Sequence, residues 1–233
     1  MKTKLLLLFS FIFLTSCNGQ TKPFGETAIN LENFDFATKI ADLYPEKYKH
    51  PSYKDHYRIP CENGSVLIEK SIIYEKPYDP NSKPLMQVYG QKNWSTGNEL
   101  AKFGKQFFNK LSFVTDMNNE IKVIGAVADE TTEKDNEAFI KNLTKKFGEY
   151  KKVESDFAGT FFIYEWRSKD LVYRFATVFN DDKNSIKIEK DKGTISFPKG
   201  EENLHTEGYF YIIKSDYIKA IEKLKTNDFV YID

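Results

Sequence analysis

Between residues 159 and 213 the chain repeats one device: a run of aromatic and β-branched residues, then a short polar turn. Residues 159–166, 171–179, 185–189, 194–197 and 208–213 read as strands. Arg167-Ser168-Lys169-Asp170, residues 180–183 and Asp191-Lys192-Gly193 read as the turns between them. Connections this short join antiparallel neighbours, because a parallel pair needs a crossover of roughly a dozen residues or more. The same grammar runs upstream. Residues 65–75 and 85–91 read as strands flanking a loop that carries Pro77, Pro80 and Pro84, and Cys61-Glu62-Asn63-Gly64 reads as a turn. Residues 111–115 and 120–127 read as a hairpin across Asp116-Met117-Asn118-Asn119.

Helices are few. The strongest carries the stripe Phe139, Ile140, Leu143 and Phe147, with Thr132 as cap, Asp135 in capping-box position and Gly148 at its stop. A short helix is expected over 37–43, ended before Pro45, and a last one over 216–224, capped by Ser215 and leading into a strand over 229–232. Leu100, Phe103, Phe107 and Leu111 also fall at near-helical spacing, weakened by Gly104. The expected class is α+β: mainly antiparallel sheet in meanders and hairpins, with a few helices packed on one face. Residues 30–233 are expected to form a single domain, with two intimate halves divided near 128 as the alternative.

The run from 159 to 179 is specific enough to predict partners. A tight turn at 167–170 sets Trp166 opposite Leu171, Tyr164 opposite Tyr173 and Phe162 opposite Phe175, all on one face. Glu165 and Arg174 then share the other face as diagonal neighbours able to form an ion pair. The aromatic face is expected to be core, packed under the helix of Phe139, Leu143 and Phe147.

Motifs that fix a chemistry are absent: no G-x-S-x-G, H-E-x-x-H, P-loop or dinucleotide-binding glycine pattern occurs. Ser196-Phe197-Pro198-Lys199 fits S-x-x-K in letters, but the serine ends an expected strand and a proline separates it from the lysine. His50, Asp55 and His56 have metal-binding side chains without further ligands at a recognisable spacing, so they read as loop residues. Asp129, Glu130, Glu133, Asp135 and Glu137 gather at the start of the best helix, where the helix dipole favours negative charge. Residues 116–120 and 180–184 lack the glycine of a calcium loop and read as turns. No metal or other cofactor is expected, and no catalytic residue is assigned.

The N-terminus has a separate logic. Lys2 and Lys4 precede an apolar run over 5–14, the pattern of an export signal. The run is about half the roughly 20 residues a spanning helix needs. It ends in Leu14-Thr15-Ser16-Cys17. That sequence resembles the lipobox of bacterial lipoproteins. The resemblance implies a diacylglycerol thioether on Cys17, cleavage after residue 16, and an acyl chain such as palmitate on the new amino group. Several chains are needed because one gives only marginal, reversible membrane binding. Asn18 in place of an aspartate resembles lipoproteins sorted to the outer membrane. No acidic residue lies in 18–22, which favours the face toward the periplasm. Residues 1–16 are thus read as signal peptide and 17–29 as a flexible tether.

Losing Lys2 and Lys4 with the signal takes Lys+Arg from 34 to 32 against 34 acidic residues, a mature net charge of −2. No basic excess exists to bind a phosphate backbone, which argues against nucleic acid. With Cys17 lipidated, Cys61 stands alone and reads as a structural thiol. The expected partners are the membrane, through Cys17, and an envelope protein. The leading expectation is a non-enzymatic binding or accessory module of the cell envelope. The alternatives are an immunity or inhibitor protein against an envelope-targeting toxin, and a hydrolase whose site is assembled from distant residues.

Overall fold

The computed structural model describes residues 24–92, 97–155, 162–181, 189–191, 194–196, 204–224 and 226–233. Cys17 and the whole of 1–23 lie outside the described residues, as do 159–161, 185–188 and 197–200.

Two meanders meet to make one nine-stranded antiparallel sheet. The first comprises β2 (His56–Cys61), β3 (Gly64–Tyr74), β4 (Pro84–Gln91), β7 (Lys110–Thr115) and β8 (Ile121–Thr131). The second comprises β9 (Lys151–Glu154), β10 (Phe162–Arg167), β11 (Leu171–Asp181) and β14 (Leu204–Lys214). The spatial order is β2-β3-β4-β7-β8-β14-β11-β10-β9. Helix α2 (Glu133–Phe147) carries the chain from the middle of the sheet to its far edge. The class is α+β and dominated by antiparallel strands, as the short polar turns require. Residue 128 lies inside β8, so no division falls there: β8 and β14 pair from Val123 to Thr131 and join the meanders into one body.

Alternation across this sheet builds two cores. On one face the cross-strand partners run Tyr57, Ile68, then Lys70, Tyr89, Phe113, Ile124, Ile212, Tyr173 and Trp166. Three pieces cover that face. They are α2, the segment 24–48 with its short helix α1 (Ile40–Leu43), and the small sheet of β1 (Ile29–Asn30), β5 (Ala101–Phe103) and β6 (Gln106–Phe108). Helix α2 forms where its signals placed it. Asp135 N donates to Thr132 Oγ1 at 3.2 Å, Thr132 N donates back to Asp135 Oδ2 at 3.2 Å, and Gly148 caps the end. Its Phe139 and Phe147 rings pack on Phe210 and Tyr173.

The opposite face is also buried, which departs from a sheet covered on one side. The residues after β14 fold back beneath it and bury Ile221, Leu224, Phe229 and Ile232 against Val123, Ile163, Val172 and Tyr211. They do so as 3-10 turns at Ser215–Tyr217, Ile221–Lys223 and Asn227–Phe229, not as the helix over 216–224 and strand over 229–232 expected from the sequence. A nine-residue helix has little stability of its own, so side-chain burial sets the backbone path. Gly125 makes room for it: a Cβ there would sit 2.7 Å from Phe229 Cε1.

Two further expectations are corrected. Leu100 to Leu111 is not helical; Gly104, at φ +59°, leads a two-residue turn between β5 and β6. A glycine at the first central position suits such a hairpin turn. Phe103 is then buried while Phe107 stays exposed. The tether is also shorter than 17–29. Phe24 is fully buried, its N–H donates to Leu43 O at 3.3 Å, and β1 pairs with β5, so residues from 24 on belong to the fold.

Candidate functional site

Where the first meander meets the N-terminal segment, a half-open cleft of 790 Å³ remains. Its floor is made of tyrosines. Tyr44 follows α1 and stacks on Tyr89 of β4, with centroids 5.3 Å apart and rings 11° from parallel. Tyr57 of β2 leans on Tyr44 at 5.8 Å. Register explains the grouping: Tyr57 pairs with Ile68, and Lys70, two residues on and so on the same face, pairs with Tyr89. Lys70 Nζ lies 5.6 Å from the Tyr89 ring centroid. Phe36, Lys39 and Ile40 form one wall, and Lys214, at the end of β14, sits over the Phe36 ring at 5.7 Å.

The remaining wall is the turn from β7 to β8, Asn118 to Ile121. That turn is held from several sides. Asp116 Oδ1 accepts from Asn118 N at 2.9 Å and Glu120 N at 3.0 Å. Gln87 Nε2 donates to Asp116 O and to Asn119 Oδ1. An antiparallel bridge between Lys39 and Glu120 ties the two walls together. The cleft is a built feature, not a gap between loose loops.

Its electrostatics are lopsided. Glu46 pairs with Lys49 at 3.3 Å and Glu120 with Lys122 at 2.8 Å, and neither lysine lines the cleft. Lys39, Lys70 and Lys214 have no carboxylate partner among the described residues. Burial pushes the phenols of Tyr44, Tyr57 and Tyr89 up, Tyr89 to about 12, so all three keep their protons. The Tyr44 hydroxyl is buried with no hydrogen-bond partner among the described residues, a state that costs roughly 1–3 kcal/mol. The cleft can therefore hold and orient a ligand with neutral donors and cations. Its described lining contains no histidine, cysteine or serine.

The residues singled out in the sequence lie elsewhere. Glu165 and Arg174 do form an ion pair, at 2.8 Å, on the opposite face of the sheet. They stand directly opposite, not diagonally, because the hairpin pairs Trp166 with Tyr173 and Tyr164 with Phe175. Ser168 N donates to Leu171 O, so the turn takes up 168–171 and the register moves by two residues. A shift of two keeps every side chain on its expected face. Trp166 is buried and donates to Thr144 of α2, Tyr164 is half-buried, and Phe162 is exposed at the rim. The expected aromatic core thus holds at one end of the strand and opens at the other.

Glu165 also accepts from Arg167 Nε at 2.8 Å, and Arg174 Nη1 donates to Ile232 O at 2.7 Å. Burial pushes the Glu165 carboxyl up, and the two guanidinium groups outweigh it, leaving it below the ordinary carboxylate range. A second buried carboxylate, Asp228, also lies on that face. It accepts from Ser112 Oγ at 2.7 Å, and burial lifts its pKa. Glu165 is sealed beneath the C-terminal segment, and Asp228 is itself part of that segment, facing Ser112 of β7.

His50, in the loop before β2, and His56, the first residue of β2, flank Tyr53, and no group of three metal-binding side chains occurs among the described residues. Asp129 pairs with Lys110 at 2.8 Å and Asp135 caps α2, so the acidic cluster is divided between separate tasks. Cys61 is half-buried, its thiol pushed up by burial, with Sγ 3.7 Å from Ile59 O. Ser196 ends β13 (Thr194–Ser196), which pairs with β12 (Glu189–Asp191), and Lys199 lies outside the described residues.

Fold and cleft together define an α+β domain built on a nine-stranded antiparallel sheet, with a tyrosine-floored, lysine-rimmed cleft on one face. Comparison with protein-family models, with curated proteins and with solved structures finds no match to this chain.

Proposed function

We propose that this protein is a lipid-anchored binding module of the cell envelope, held on a membrane through Cys17, and that the tyrosine-floored cleft is its ligand site. The observation that carries the reading is a cleft with hydrogen-bonded walls and a floor of stacked tyrosines, lined by Lys39, Lys70 and Lys214, which have no carboxylate partner among the described residues. Lipobox and fold fit together in space. Phe24, the first buried residue, packs its ring 5.5 Å from Tyr44. Seven residues, 17–23, lead to it from the lipid on Cys17, and a stretch of that length reaches at most about 25 Å, so the anchor holds the cleft near the headgroups.

Hydrogen exchange tests the site. The purified mature protein is mixed with a small-molecule extract of the envelope, and exchange is followed by mass spectrometry. Slowed exchange in 36–46 and 118–121 is the expected result. Slowing confined to other segments, or none, overturns the assignment.

A further inference from the structure

The charge of the cleft narrows its ligand. Both acids that line it, Glu46 and Glu120, are neutralised by lysines from outside, while Lys39, Lys70 and Lys214 have no counter-charge of their own among the described residues. Two of these ammonium groups rest on ring faces, Lys70 on Tyr89 and Lys214 on Phe36. A cation held over a ring stays available to an anion on its other side. The walls between these groups are apolar or aromatic: Phe36, Ile40 and Ile121, above the tyrosine floor.

We propose that the cleft takes a small organic anion, a carboxylate or phosphate carried on a ring, with Lys39, Lys70 and Lys214 facing the charge. The proposal rests on the cleft being the ligand site. The ring lies along Phe36 and the tyrosines, where flat apolar surface is available, and the charged group points to the lysines. Lys70 occupies the inner position, because its strand partner Tyr89 is buried. Lys39 is exposed and draws the anion in from solvent.

Calorimetric titration of the purified mature protein tests this. The probes are phenyl phosphate, benzoate and glucose 6-phosphate, each beside its uncharged counterpart: phenol, benzyl alcohol and glucose. Inorganic phosphate is the ring-free control. At least one ring-bearing anion is expected to bind about tenfold or more tighter than its counterpart and than inorganic phosphate, with affinity falling as salt rises. Lys70→Gln and Lys214→Gln should each weaken that binding several-fold. Tyr44→Phe keeps the ring of the floor and should leave that binding within about twofold, with the melting temperature unchanged or higher, because it removes a buried hydroxyl with no partner among the described residues. Anions that bind no better than their neutral counterparts overturn the proposal, as does binding indifferent to both lysine substitutions. Inorganic phosphate binding as tightly as the ring-bearing anions overturns the ring. A neutral compound that slows exchange in 36–46 leaves the cleft as the ligand site and overturns only the anion.

Discussion

Arg174 is the residue whose loss the fold should feel most. Its guanidinium is buried, reaches Glu165 Oε2 through Nη2 at 2.8 Å and Nε at 2.9 Å, and holds Ile232 O through Nη1 at 2.7 Å. It therefore joins β10 to β11 and clamps the last residues of the chain to the sheet. Arg174→Met keeps the length and apolar stem and removes the charge. Glu165, 3% exposed, is left with Arg167, a mostly solvated partner. Breaking a buried pair in this way costs about 3–5 kcal/mol. For a domain of this size each kcal/mol moves the melting temperature by roughly 2–4 °C, so a fall of about 6–20 °C is expected. Urea unfolding followed by tryptophan fluorescence gives the free energy. The pH dependence has a definite sign. Glu165 has a folded pKa below its ordinary 4.5, so the pair stabilises fully above that value. Its contribution is lost as pH falls through the lower folded pKa, and the gap between wild type and variant should close in acid. Pairing the change with Glu165→Leu removes the stranded carboxylate and should restore at least half of the loss. A single variant costing under about 1 kcal/mol, or a double variant as unstable as the sum of its parts, would refute the reasoning.

Other outcomes follow from the same geometry. Asp228 is the opposite case: its folded pKa is raised by burial, so the fold prefers the proton and loses stability as pH rises from the ordinary 3.8. Asp228→Asn should be more stable than wild type at pH 7, with the advantage vanishing below about pH 4 in acid-series melts; a less stable variant at pH 7 contradicts this. Gly125→Ala forces a methyl to within 2.7 Å of Phe229 and should cost about 1–3 kcal/mol by urea unfolding. An unchanged midpoint would show that the C-terminal segment does not sit on β8. Cys17→Ser should release the protein from membranes or stall its processing, and mass analysis of the mature wild-type N-terminus should find lipid on Cys17; an unmodified Cys17 sinks the anchor.

The sheet was legible because its signals are local. Turns such as Asp116 to Asn119 and the capping box at Thr132 and Asp135 depend on a few neighbouring residues. The burial parity of β10 and β11 survived a register error, since a shift of two leaves the faces unchanged. The C-terminal turns were not legible. Ile221, Leu224, Phe229 and Ile232 announce burial, but their backbone path depends on contact with β8 and β14, which lie far away in sequence. The spacing of Leu100, Phe103, Phe107 and Leu111 imitated a helix because two short strands and the start of a third supplied its apolar residues in turn. The cleft was the least visible part. Tyr44, Tyr57, Lys70, Tyr89 and Lys214 come from five separate elements, and only the β3–β4 register hints that Lys70 and Tyr89 are neighbours. A lysine and a tyrosine facing each other across two expected strands was the one available signal, and fixing it required the register across the proline-rich loop 75–83.

The claim that matters most is that the tyrosine-floored cleft receives the ligand. The direct measurement is the NMR spectrum of protein carrying ring-labelled tyrosine, recorded as the tightest-binding anion is titrated to saturation. The protein has 14 tyrosines, several of them remote from the cleft and so internal controls. The account predicts that the ring signals of Tyr44, Tyr57 and Tyr89 shift together at one affinity, while Tyr209 and Tyr231, packed against each other on the far face, stay in place. Movement at Tyr209 and Tyr231 with Tyr44, Tyr57 and Tyr89 unmoved would contradict it.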